Sequence, residues 1–212
     1  MRTPELIRDL SERLEPVRPL APPWRRALGW GLISATFVAA ALAIGGPARP
    51  GVLDQIIGVP RFAAEIVLGV GASALGAWIA FSLSVPGLAD TWIRRWAAVG
   101  LLALWCALLV YGLDHPAIAP SMEGKRPHCL YETIGYSIPP LILMLVLAAR
   151  AAPVRGAWVG ALAGLASGAL PATAMQIACL YSPEHALRFH VAPVAGMAIV
   201  GALAGWRFIP RL

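Results

Sequence analysis

The chain has 212 residues, of which 58% are hydrophobic and only 13% charged, with a mean hydropathy of +0.71; a soluble domain carries about 45–50% apolar and about 25% charged residues. That balance excludes a soluble globule and a disordered chain, the missing glycine period excludes collagen, and three cysteines are too few for a disulfide scaffold. The net charge of +6 counts in a membrane protein by where the cations fall, and no direct DNA binding is expected from it.

The one sizeable polar piece comes first. Over residues 4–18, Leu6, Leu10, Leu14 and Val17 recur at spacings of 4, 4 and 3, which puts them on one helical face with Ile7 at its edge. Thr3 is a suitable N-cap, Pro4 suits the first helical position, and Pro16 and Pro19 end the helix. Four arginines and four acids over residues 2–18 argue against a basic lipid-binding helix. A helix this short is marginal alone in water and orders when its apolar face meets a groove, so a protein partner is expected for Leu6, Ile7, Leu10 and Leu14.

Six stretches are long and apolar enough to cross about 30 Å of hydrocarbon. They are residues 25–45, 62–83, 95–113, 130–149, 156–179 and 190–208. The expected fold is therefore all-α, a polytopic bundle of six transmembrane helices over 25–212 preceded by a segment over 1–24. The polar residues before the first span, and the lack of a small-residue cleavage site after it, argue against a removed signal peptide.

Six spans place both termini on one side. Arg2, Arg8, Arg13, Arg18, Arg25, Arg26, Arg94, Arg95, Arg150, Arg155, Arg207 and Arg211 fall on that face, and Arg49, Arg61, Lys125, Arg126 and Arg188 on the other. Twelve cations against five predict cytoplasmic termini, with loops 46–61, 114–129 and 180–189 on the outer side.

Gly156, Gly160, Gly164 and Gly168 recur every fourth residue on span 5, and Gly201 and Gly205 begin the same pattern on span 6. Such ridges serve ordinary helix packing, with homodimerisation the other use. Pro139-Pro140 and Pro193 should kink spans 4 and 6 or free carbonyls there. Ionisable residues inside the spans are scarce: Glu65 and Glu132 lie near outer ends, within reach of interfacial water, which disfavours a coupled transporter or pump.

Cys129 opens span 4 and Cys179 closes span 5, so both thiols return to the outer interface, where adjacent helices bring side chains within disulfide reach. Cys106, in mid-span 3, reads as a buried inert thiol. All four histidines, His115, His128, His185 and His190, fall on the same outer side. Imidazolium groups, Lys125 and Arg126 nearby would favour a reactive thiolate, and a Cys/His metal site with His128, His185 or His190 is chemically possible, although no compact ligand motif is present. No cofactor is expected. A membrane thiol–quinone oxidoreductase is the enzyme alternative, weakened by the absence of a C-x-x-C pair and of a second dithiol; a small-solute transporter ranks third.

Several of these features together resemble one family: Thr3-Pro4-Glu5-Leu6-Ile7 through Val17-Arg18-Pro19-Leu20, Pro22-Pro23-Trp24-Arg25-Arg26 at the first span, Gly160-Ala-Leu-Ala-Gly164, and Cys179 followed by Ser182-Pro183-Glu184. The chain is similar over nearly its whole length to the NrsF-like family, six-span negative regulators of extracytoplasmic-function sigma factors in Gram-negative bacteria. The resemblance implies an anti-sigma factor of the inner membrane rather than an enzyme. Its N-terminal segment would hold the sigma factor through Leu6, Ile7, Leu10 and Leu14, and Cys129 and Cys179 would sense oxidising or metal stress in the periplasm. One departure is local: the family pattern sets a proline directly after the second cysteine, whereas Leu180-Tyr181-Ser182 intervene here.

Overall fold

The computed structural model describes residues 3–12, 19–88, 92–151 and 153–209. All regular structure among them is helical: α1 (Thr3–Glu12), α2 (Pro23–Gly45), α3 (Val52–Gly58), α4 (Pro60–Leu83), α5 (Trp92–Asp114), α6 (Cys129–Ala149), α7 (Gly156–Ala178) and α8 (Pro183–Phe208). The six long helices, α2 and α4 to α8, are long and apolar enough to cross a membrane. The amphipathic segment is helical as expected over Thr3–Glu12, with Ile7 exposed. Leu14, Pro16 and Val17, and the side chains of Leu6 and Leu10, lie outside the described residues.

Two elements differ from the expectation. The first outer loop contains the short α3, started by Gly51 in the left-handed region (φ 69°). The sixth span begins at Pro183 instead of residue 190, because Ser182 caps it: the Ser182 hydroxyl oxygen accepts a bond from the His185 N–H at 3.4 Å, and Pro183 fills the first turn, where a missing N–H costs nothing. Hydropathy alone stops short of this start because Glu184, His185, Arg188 and His190 break the apolar run.

Within α8, Ala186–Val191 form a π-turn, in which the Ala192 N–H bonds to the Leu187 carbonyl five residues back. Pro193 follows directly. It has no N–H to offer the carbonyl four residues behind it, and the wider turn absorbs that break. α6, by contrast, runs through Pro139 and Pro140 as one helix.

α7 is the central element, with 78% of its apolar window buried against 17% for the peripheral α2. Its glycine ridge faces α8. A Cβ at Gly160 would collide with the Gly201 carbonyl, and one at Gly164 with the Met197 carbonyl, while Gly201 and Gly205 meet the carbonyls of Gly160 and Gly156. The two Gly-Ala-Leu-Ala-Gly stretches therefore pack on one another within the chain, as small residues allow where lipid supplies no hydrophobic drive.

α2 is held differently. An apolar crevice of about 590 Å³, lined by Val38, Leu42, Leu170 and Ala174 among others, separates much of it from α7. Polar bonds fasten it to α6: Trp30 Nε1 donates to the Pro140 carbonyl at 2.9 Å, the Tyr136 hydroxyl to the Ala41 carbonyl at 3.3 Å, and Arg26 to the Leu147 carbonyl at 2.5 Å. Arg26 also donates to Ser84 at 3.1 Å and lies over the Phe81 ring, so it ties the last turn of α6, where carbonyls lack helical partners, to α4 as well.

Candidate functional site

Cys129 begins α6 and Cys179 follows the last residue of α7, so two antiparallel helices joined by a short turn return both thiols to one end of the bundle. The sulfurs lie 2.8 Å apart, and both residues are buried, Cys129 at 4% and Cys179 at 0% exposure. This is the pair the sequence singles out. Cys106 is remote from it and only half-buried, packed at the edge of the main core.

The early start of α8 brings two histidines onto the pair. His185 Nε2 lies 3.5 Å from the Cys179 sulfur, and His190, one helical turn and a bulge later, is fully buried with neither ring nitrogen hydrogen-bonded. One ligand atom from each of Cys129, Cys179, His185 and His190 falls within 4.8 Å of every other. The remaining two histidines stand apart. His128 is exposed, its ring 6.5 Å from that of Tyr131, and His115 stacks on Tyr111 at 4.9 Å.

The surrounding charges serve the fold. Arg126, expected to activate a thiol, pairs with Glu132 at 3.3 Å and donates to the carbonyls of Leu42 and Gly46, while its own carbonyl oxygen lies 3.3 Å from the Cys129 sulfur. Lys125 is exposed. The Cys179 thiol is nevertheless held below its ordinary value: the Cys129 thiol donates to it, burial opposes ionisation, and His185 lies within donating distance.

Two residues outside the expected set shape this end. Arg49, 3% exposed, donates to the Cys179 carbonyl at 3.0 Å and to Gln55 at 2.7 Å, with the Phe62 and Tyr181 rings beneath it. It ties the loop carrying α3 to the backbone of Cys179. Gly124, in the left-handed region at φ 77°, lets the third connection close over Arg49, whose Cβ leaves only 3.0 Å for any Cβ added there.

Glu65, expected to reach interfacial water, is instead fully buried. It accepts from Gln176 at 2.6 Å and from the Tyr181 hydroxyl at 3.3 Å, and the Tyr181 oxygen in turn accepts the Ala117 N–H. Two residues of Leu180-Tyr181-Ser182 have structural roles: Tyr181 donates to the carboxylate and Ser182 starts α8. A buried arginine clamp and a buried carboxylate are invisible to span-finding. The available signals were a Ser-Pro-Glu helix start beside Cys179 and a glutamate inside an apolar run.

The sequence model of the family described as NrsF, negative regulator of sigma F, matches residues 10–210. No curated protein and no solved structure shows a significant match to the chain. The arrangement of six apolar helices and a family match over almost the whole length agree, and the chain belongs to the NrsF family of sigma-factor negative regulators.

Proposed function

We propose that the protein is an inner-membrane anti-sigma factor that holds an extracytoplasmic-function sigma factor through residues 1–24 and releases it when Cys129 and Cys179 are oxidised. The observation that carries the sensing half is the buried contact of the two sulfurs at 2.8 Å. The distribution of twelve cations against five supports a cytoplasmic tail and a periplasmic thiol end. There the compartment permits a disulfide.

The chemistry balances with a hydroperoxide as oxidant. The Cys179 thiolate attacks one peroxide oxygen, the O–O bond breaks as the S–O bond of a sulfenic acid forms, and the other oxygen departs as an alcohol or water after taking a proton. The Cys129 thiol then attacks that sulfur, the S–S bond forms, and one water departs, the two thiols having lost two electrons and two protons to the peroxide.

The polar seam between α6 and α2 supplies a route for the signal. Cys129 heads α6, and Trp30, Tyr136 and Arg26 fasten the length of α6 to α2, the helix that leads directly back to the tail. Drawing the first turn of α6 onto Cys179 therefore acts on the helix that carries the sigma-binding segment. A swing in occupancy from 1:99 to 99:1 requires about 5.5 kcal/mol of differential stabilisation.

Two variants test the two halves. Deleting residues 1–20 should abolish co-purification of the sigma factor, and undiminished recovery would refute the tail. Cys129→Ser/Cys179→Ser should keep the sigma factor bound under peroxide; normal release would refute the thiol pair. The thiol–quinone oxidoreductase reading needs a second dithiol, which Cys106, the only other cysteine, does not supply.

A further inference from the structure

We propose that, with both thiols reduced, Cys129, Cys179, His185 and His190 form a tetrahedral site for one divalent d10 cation of the zinc class. The proposal extends the reading above, since it uses the same thiol pair, but it needs no sigma factor to be true.

Four donors of the right kinds converge. A tetrahedral site with metal–sulfur bonds of about 2.3 Å and metal–nitrogen bonds of about 2.0–2.1 Å sets its ligand atoms about 3.3–3.8 Å apart. Here the sulfurs are 2.8 Å apart, His185 Nε2 is 3.5 Å from Cys179, and all four donors lie within 4.8 Å of one another. At the two sulfur contacts these spacings differ from that figure by about 1 Å or less.

His190 is the second, independent observation. A fully buried imidazole with no hydrogen bond is costly in an otherwise apolar helix bundle, and it is aimed at two sulfurs instead of a carbonyl or carboxylate. A bond from its nitrogen to a cation removes that cost. The π-turn that places it five residues after His185 is a local departure from regular helix, and such bulges collect at ligand sites.

Charge selects the class of ion. Two thiolates and two neutral imidazoles around a dication sum to zero, the balance a buried site near hydrocarbon requires. Two sulfur and two nitrogen donors at tetrahedral spacing disfavour magnesium and calcium, which take six or more oxygens. A cavity of about 410 Å³, lined by His185, Ser182, Glu184, Lys125 and Met122, opens beside His185 and gives an ion a way in. The Cys179 carbonyl is fixed by Arg49, so the backbone behind that thiol is already held. A cation and a disulfide exclude each other, because each uses the same sulfur electron pairs.

The test uses the purified full-length protein in detergent, reduced and stripped of metal, titrated with Co²⁺ and then Zn²⁺. One Co²⁺ per chain should bind with a thiolate-to-cobalt charge-transfer band and the visible absorption of tetrahedral cobalt, and Zn²⁺ should erase both. Cys129→Ser and Cys179→Ser should abolish the band, Cys106→Ser should leave it, and His185→Ala and His190→Ala should each weaken binding at least tenfold. Should His190→Ala fail to fold, His185→Ala, at the mouth of the cavity, decides. Absence of the band, its loss in Cys106→Ser, or equal affinity in the histidine variants would overturn the site. A positive titration alongside peroxide-insensitive sigma binding would sink the release mechanism alone, and a negative titration alongside peroxide-sensitive release would sink the cation site alone.

Discussion

Glu65 shows what a buried charge-bearing residue is worth at the scale of one side chain. Its two oxygens collect donors from Gln176 and Tyr181, residues more than a hundred positions away. Removing it strands both donors, which costs about 1–3 kcal/mol when a buried group loses its partner. Glu65→Leu should therefore lower stability by that amount in a thermal unfolding measurement in detergent, and Glu65→Gln, which keeps an acceptor oxygen, by less than half of it. Equal stability of all three proteins would mean the cluster holds nothing together. Arg49→Ala is the companion case, since it leaves the Cys179 carbonyl unpaired and unties the loop carrying α3 from it. Alkylation of Cys179 by a water-soluble maleimide should become at least tenfold faster than in the parent. The meeting of Cys129 and Cys179 was legible in the sequence, because position along the spans alone sends both to one end. The partners of Glu65 and the clamp of Arg49 were not, because each depends on which loops fold over which helix ends.

Among the helices, the α7–α8 contact is set by hard backbone. Gly164→Leu drives a side chain into the Met197 carbonyl and should destabilise the bundle by about 1–3 kcal/mol, as overpacking does. A Cβ added at Gly196, also on α8, meets nothing within 4 Å, and Gly196→Ala should be neutral or slightly stabilising. Since α8 also carries His185 and His190, the first substitution should loosen the thiol site and the second leave it intact. The α2–α6 seam makes a functional prediction: Trp30→Phe removes a bond worth about 0.5–1.5 kcal/mol while keeping an aromatic ring. In that variant peroxide should still form the Cys129–Cys179 bond but release less sigma factor, measured by non-reducing gels beside co-purification. Five of the six spans were legible to within about three residues from hydropathy. The sixth began two turns early because a cap, a proline and a π-turn outweigh hydropathy where charged residues interrupt the apolar run.

At the scale of the whole molecule, the glycine ridge, the polar seam and the thiol cluster divide the work. α7 and α8 pack backbone to backbone, α2 is bonded to α6 beside an apolar crevice, and the tail precedes α2 in the chain. The proposed release of the sigma factor predicts that α2, the peripheral helix next to the tail, is the one that moves. It also predicts that the tail and the thiols face opposite sides of the membrane. A cysteine-reactive probe that cannot cross the bilayer should label Ser121→Cys and not Ser11→Cys in intact cells with the native cysteines replaced by serine. The most direct measurement follows both ends of the account in one sample: the fraction of protein carrying the Cys129–Cys179 disulfide and the sigma factor recovered with it, across a peroxide series. The sigma factor should fall in step as the disulfide rises, and Cys129→Ser/Cys179→Ser should show neither change. Complete disulfide formation with undiminished sigma factor would contradict release by the thiol pair.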